Sequence, residues 1–105
     1  RSAAGLAKAR RQLAAMAKAL GNTPPGGIEG FDPELLDWLD LRQMLLVANC
    51  VCQAAAERTE SRGAHQREDH PGLDEAWQQH LSISMHDGAL VLRKQPIDAL
   101  ERLAA

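Results

Sequence analysis

A chain of 105 residues is long enough for one domain with a modest hydrophobic core and too short for two. Its apolar residues are mostly Ala and Leu, aromatic residues make up 3% and Tyr is absent, which is typical of closely packed helices. No apolar run approaches the roughly 20 residues of a membrane span, no secretory pattern is present, and two cysteines provide no disulfide framework. We therefore expect a cytoplasmic protein without direct membrane insertion.

The net charge of −2 is unevenly distributed, because residues 1–20 carry +5 with no acidic residue and the remainder carries −7. A basic segment of this kind can bind nucleic acid or an acidic membrane. It contains no aromatic side chain for base stacking, however, so a solvated face or an acidic protein neighbour is favoured and nucleic acid is not an expected partner. The chain begins with Arg1 rather than Met, which indicates a fragment or a processed product.

Residues 2–20 are predicted to form a first helix. Its apolar residues recur at alternating spacings of three and four, which places them on one stripe: Leu6, Ala9, Leu13, Met16 and Leu20. Gly21 and Asn22 supply a helix stop. Residues 23–30 are rich in Pro and Gly and are predicted to form a loop.

A second helix is predicted from Asp32 to about Arg58, with Asp32 as the N-cap and Pro33 at the first helical position. One continuous apolar face consists of Leu35, Trp38, Leu41, Leu45, Ala48, Cys52 and Ala55. Further apolar residues cover most of the remaining surface: Leu39, Met44, Leu46, Val47, Cys50 and Val51. A helix that is apolar nearly all round must be buried by more than one neighbour. Because the first helix can cover only one side, a third helix or a partner is missing from this chain.

The C-terminal part of the chain predicts short elements. His70-Pro71-Gly72 is a break, and Asp74 caps a short helix that contains Trp77. Residues 81–85 alternate between apolar and polar, Asp87-Gly88 is a strong hairpin turn, and residues 89–93 form the return strand, which Pro96 ends. Asp98 and Glu101 can form a capping box for a terminal helical turn.

The usual signatures of an active site or metal site are absent from the sequence. Cys50 and Cys52 are two residues apart on a helix and point to nearly opposite faces, so they are interpreted as buried thiols. The spacing of His65, His70 and His80 fits no compact metal motif. No phosphate loop, nucleophile elbow or carboxylate pair is present. We therefore assign no catalytic, cofactor-binding or metal-binding residue to this chain.

The segment from Thr59 to Asp69, which we call the polar turn, carries the densest cluster of polar side chains. Arg62 and Arg67 are forked donors suited to carboxylates or backbone carbonyls, and Gly63 permits a positive φ. Acidic residues of the turn can hold these arginines in place. A self-contained capping network is one interpretation of the polar turn. We favour a docking surface formed by Glu60, Ser61, Arg62, Gly63, His65, Arg67, Glu68 and Asp69.

The polar turn also resembles the C-terminal domain signature of succinate dehydrogenase and fumarate reductase flavoproteins. The similar residues read Ser-Arg-Gly-Ala-His-x-Arg-Glu-Asp over residues 61–69, with Glu60 before them and Pro71 after them. Residues 39–48 resemble the family's Leu-acid-Leu-Arg…Met-Leu helix, and residues 74–80 resemble its Asp-Glu-x-Trp-x-x-His segment. The resemblance extends in order over residues 1–95.

This resemblance implies a mainly α fold: a three-helix, spectrin-repeat-like bundle, followed by an irregular or β-containing tail. The first helix of the bundle would precede Arg1, which fits the incomplete cover of the second helix. We expect a single domain over residues 1–105, with a helical part at 1–80 and a tail at 81–105 that consists of a short β-hairpin and a terminal helical turn.

In function, the resemblance implies the C-terminal domain of a larger enzyme that transfers a hydride between FAD and a C4 dicarboxylate. FAD is held there by a separate Rossmann-like domain, so no FAD-binding or catalytic residue is carried over and this chain alone is expected to be inactive. The implied partners are that FAD-binding domain and an iron–sulfur subunit, and partner subunits could place the protein at the cytoplasmic face of a membrane. Arg62→Ala in the parent protein is expected to weaken domain docking more than it changes the helicity of this chain.

Two alternatives remain open from the sequence. L-aspartate oxidases share the fold and a Ser-Arg-Gly turn, so the chain can be the equivalent domain of such an enzyme. It can also be a stand-alone helical module whose second helix binds a partner helix. An exposed apolar patch on the isolated chain also allows a homodimer.

Overall fold

The computed structural model describes residues 1–26, 30 and 32–97. Two helices come first, α1 (Ala3–Leu20) and α2 (Pro33–Glu57), followed by a 3-10 turn at Glu75–Trp77 and the strands β1 (Gln79–His86) and β2 (Ala89–Pro96). The predicted mainly α fold with a short hairpin is confirmed. The terminal helical turn predicted at Asp98 and Glu101 lies outside the described residues.

Capping side chains set the helix boundaries close to their predicted positions. The hydroxyl of Ser2 accepts a hydrogen bond from the backbone N–H of Gly5 at 3.1 Å and begins α1. The carboxylate of Asp32 accepts one from Glu34 at 3.0 Å and begins α2, with Pro33 at the first position as predicted. Gly21 ends α1 with a φ of 68°, a conformation that favours glycine.

The apolar core is small and lies where α1 packs along one side of α2 and where the 3-10 turn meets the end of α2. Its buried apolar side chains are Leu6, Trp38, Ala55 and Trp77. The indole nitrogen of Trp38 donates to the carbonyl of Leu20 at 3.4 Å, which joins the start of α2 to the end of α1. Leu41 was expected on the buried face but is 43% exposed, because α1 covers only one side of α2.

Much of the apolar surface of α2 remains exposed within the described part of the chain. The exposed large side chains of this helix are Leu36, Leu39, Leu41, Met44, Leu46, Val47 and Val51. The prediction that α1 alone cannot bury α2 is therefore confirmed. Cys50 and Cys52 are free thiols and are half-buried, rather than buried as predicted. Within the described residues, neither helix is long and apolar enough to cross a membrane.

The hairpin forms at the predicted turn. β1 and β2 pair antiparallel from Gln79 opposite Pro96 to His86 opposite Ala89, which makes both strands longer than the alternation pattern indicated. Asp87 and Gly88 both have positive φ, 50° and 78°, as a two-residue type I′ turn requires. The 3-10 turn before the hairpin is capped by Asp74, whose carboxylate accepts from Ala76 at 3.0 Å.

We predict that Trp38→Ala lowers the free energy of unfolding by about 3 kcal/mol, because it removes the largest side chain between α1 and α2 and leaves a cavity. Chemical denaturation followed by circular dichroism measures the change. Met44→Ala, at a 65% exposed position of the same helix, is the control and should change stability by less than about 1 kcal/mol. Equal losses in the two variants would contradict the placement of Trp38 in the core.

Candidate functional site

The polar turn folds back on itself at Gly63. The backbone N–H of Arg62 donates to the carbonyl of His65 at 2.7 Å, and the N–H of His65 donates to the carbonyl of Arg62 at 2.9 Å. Gly63 lies in the first central position of this turn with a φ of 55°, and a Cβ there would meet no atom within 4 Å. The backbone angle, rather than lack of space, therefore favours glycine at this position.

Glu60 is the centre of one buried ionic cluster. Its side chain is inaccessible to solvent, and its carboxylate accepts from Arg58 at 2.6 Å, from Arg62 at 2.8 and 3.1 Å, and from the backbone N–H of Asp74 at 3.0 Å. The hydrogen bonds from Arg62, aided by those from Asp74 and Arg58, lower the pKa of Glu60 from 4.5 to about 2, against the opposing effect of burial. Glu60 is therefore ionised in the folded protein at neutral pH.

Arg67 and Asp69 form a second cluster that joins the ends of the two helices. Arg67 is buried and forms a bidentate pair with the carboxylate of Asp69 at 2.8 and 2.7 Å. Its Nη1 donates to the carbonyls of Ala55, Ala56 and Arg58 at 2.9–3.3 Å, at the end of α2, where carbonyls lack helical partners.

Asp69 extends this cluster to α1. Its carboxylate accepts from the backbone N–H of Ala3 at 3.0 Å, in the first turn of α1, where N–H groups are free and a negative charge is favourable. The hydrogen bonds from Arg67 and then from Ala3 hold the pKa of Asp69 well below its usual range. One ion pair thus provides hydrogen bonds both to free carbonyl groups at the C-terminus of α2 and to a free N–H group at the N-terminus of α1.

Ser61 closes the loop that carries both clusters. Its hydroxyl oxygen accepts from the backbone N–H of Arg67 at 2.9 Å and lies 2.8 Å from the carbonyl of His70, to which it donates. Its own backbone N–H donates to the carbonyl of Gly72 at 2.8 Å. Ser61 is buried, so a side chain without these bonds would leave polar backbone groups unsatisfied.

His65 connects the polar turn to the start of the chain. Its Nε2 lies 3.0 Å from the carbonyl of Arg58, and its Nδ1 lies 3.0 Å from Nη1 of Arg1. The backbone N–H of Glu68 donates to the carbonyl of Arg1 at 2.7 Å. Arg1 is therefore held through both its side chain and its backbone.

The hairpin is attached to the polar turn through Trp77. The guanidinium of Arg58 and the ammonium of Lys94 lie 5.0 and 4.3 Å from the centre of the indole ring. The indole nitrogen donates to the hydroxyl of Thr59 at 2.9 Å. Arg58 also donates to the backbone carbonyls of Trp77 and Gln79 at 2.9 and 2.6 Å, so one side chain holds the hairpin and Glu60 together.

The structure brings most of the predicted docking residues into these internal networks. Glu60, Ser61 and Arg67 are buried, while Arg62 and His65 are half-buried and hydrogen-bonded within the chain. Gly63, Glu68 and Asp69 are exposed, together with the neighbouring Ala64 and Gln66. Of the acidic residues expected to hold the arginines, Glu60 and Asp69 do so; within the described residues, the carboxylate of Glu68 makes no hydrogen bond or ion pair.

Sequence reasoning did not identify several members of the networks, among them Arg1, Ala3, Arg58, Asp74 as a backbone donor, Trp77 and Lys94. Arg58 could have been noticed as the cation that directly follows α2, where carbonyls need donors. Across the residues that the structure places, no three His, Cys, Asp or Glu side chains converge to hold a metal ion.

The family described as fumarate reductase flavoprotein C-term matches residues 1–102. The chain belongs to this family. It is 33% identical over 84 residues to a fumarate reductase (CoM/CoB) subunit of Methanothermobacter marburgensis, covering 80% of this chain and 15% of that protein.

Two further similarities support the family assignment. The chain is 39% identical over 69 residues to the succinate dehydrogenase flavoprotein subunit of Rickettsia conorii, covering 64% of this chain and 12% of that protein. The structure of Mycobacterium smegmatis Sdh1 in complex with UQ1 matches with a TM-score of 0.76 and 34% identity, over 91% of this chain and 17% of that chain. L-aspartate oxidases are also among the relatives. The chain thus spans less than a fifth of the length of these proteins.

We predict that Arg67→Met destabilises the domain by about 3 kcal/mol, because the change leaves Asp69 without its buried partner and the end of α2 without its donor. Arg67→Lys should recover only part of the loss, since an ammonium cannot reproduce the forked geometry. Thermal and chemical denaturation measure both variants. Arg11→Met, an exposed position of α1, is the control and should stay within about 0.5 kcal/mol of the wild type.

The lowered pKa of Glu60 predicts a specific pH dependence of stability. Its contribution is fully present above pH 4.5, its ordinary pKa, and is lost as the pH falls towards its folded pKa of about 2. The difference in unfolding free energy between the wild type and Glu60→Gln should therefore be constant near neutral pH and shrink between these two values. Glu68→Gln, at an exposed position, should follow the wild type throughout. A difference that did not change with pH would contradict the assigned titration.

Proposed function

We propose that this chain is the C-terminal domain of an FAD-dependent flavoprotein that transfers a hydride between FAD and a C4 dicarboxylate. The match of the family over residues 1–102 carries this proposal. The proteins that the chain resembles are several times longer, so the reacting groups are proposed to lie in parts of the parent protein outside this chain.

The described residues do not fit FAD. The two strands form only an antiparallel hairpin. Among the residues that the structure describes, no strand is followed by a glycine-rich loop and a helix, which is the arrangement that binds a pyrophosphate. FAD is therefore proposed to be bound by a separate domain of the parent protein. The role of this chain is structural: it braces that domain and presents a surface to an iron–sulfur subunit.

The exposed side of the polar turn is the proposed docking surface. We define this rim as Gly63, Ala64, Gln66 and Glu68, which are exposed on a loop that the Glu60 and Arg67 clusters hold in place. A rigid loop docks at a lower entropic cost than a mobile one. The buried members of the predicted set act by shaping this rim rather than by direct contact. Arg62→Ala is accordingly a poor test of docking, since it also removes a donor from buried Glu60.

The decisive experiment is expression of the complete parent reading frame. Purified parent protein should contain FAD and should oxidise succinate or reduce fumarate with artificial electron carriers, whereas the 105-residue chain should do neither. Oxidation of L-aspartate instead would assign the chain to the aspartate oxidase alternative. A parent protein without flavin would overturn the proposal.

We predict that Glu68→Lys lowers the flavin content of the parent protein, or its assembly with other subunits, while it leaves the melting temperature of the isolated domain unchanged. A charge of the wrong sign at a docking surface costs several kcal/mol, whereas Glu68 makes no ion pair within the described part of this chain. Glu75→Lys, an exposed charge reversal in the 3-10 turn, is the matched control. Equal behaviour of both variants in the parent protein would contradict docking through the rim.

The exposed apolar side of α2 favours a second candidate function, a helical interaction module. Met44, Val47 and Val51 are each at least half exposed, which is unusual for neighbouring apolar side chains of a helix. In a free-standing chain, this side would bind a partner helix or a second copy of the chain. A concentration-dependent dimer of the 105-residue chain that Val47→Glu dissolves would support this function.

A further inference from the structure

We draw no further inference here: the strongest candidate, the groove between α1, α2 and the hairpin turn that Arg10, Arg42 and Met85 help to line, carries none, because the chain spans less than a fifth of the length of its relatives and nothing in the structure shows what covers this groove.

Discussion

The ion pair between Arg67 and Asp69 is the interaction on which the arrangement of this domain depends. Arg67 satisfies carbonyls at the end of α2, and Asp69 satisfies an N–H group at the start of α1. Helix ends carry free backbone groups that cannot be buried without partners. Because one bidentate pair hydrogen-bonds to both helix ends, the polar turn holds the start of α1 next to the end of α2. The small number of buried apolar side chains makes this polar constraint more important than it would be in a larger core.

Buried ionic clusters often add little net stability, because the cost of desolvating charges offsets much of their attraction, and in some proteins they specify one structure instead. Glu60 is consistent with this view. Its carboxylate accepts hydrogen bonds from the end of α2, from the polar turn and from the segment before the 3-10 turn. Arg58 connects this cluster to the hairpin, because it also donates to the carbonyl of Gln79. An apolar side chain could fill the same volume but would not specify the direction of any of these elements. The cluster therefore sets the position of the hairpin, which otherwise makes limited contact with the helices.

The domain accordingly has two dissimilar regions. Around the polar turn, most side chains are partnered, and the exposed rim is held on a rigid frame. Along the middle of α2, Met44, Val47 and Val51 remain exposed because α1 covers one side only. The chain spans less than a fifth of the length of the relatives that it matches. The proposal that it is one domain of a larger protein offers a place for the exposed side of α2, which neighbouring parts of that protein would cover.

The sequence by itself determined the local elements of this protein. The spacing of Leu6 and Leu13, the caps Asp32 and Asp74, and the Asp87-Gly88 turn act over a few residues, so their effects could be predicted without the fold. It also singled out the polar turn. Only the tertiary structure decided how that turn is used, because the partners of its side chains lie far away in sequence, as with Ala3 and Asp69 or Arg1 and His65. Spacing along the chain contains no information about such pairs. They exist because the helix ends converge and the free backbone groups there need donors and acceptors.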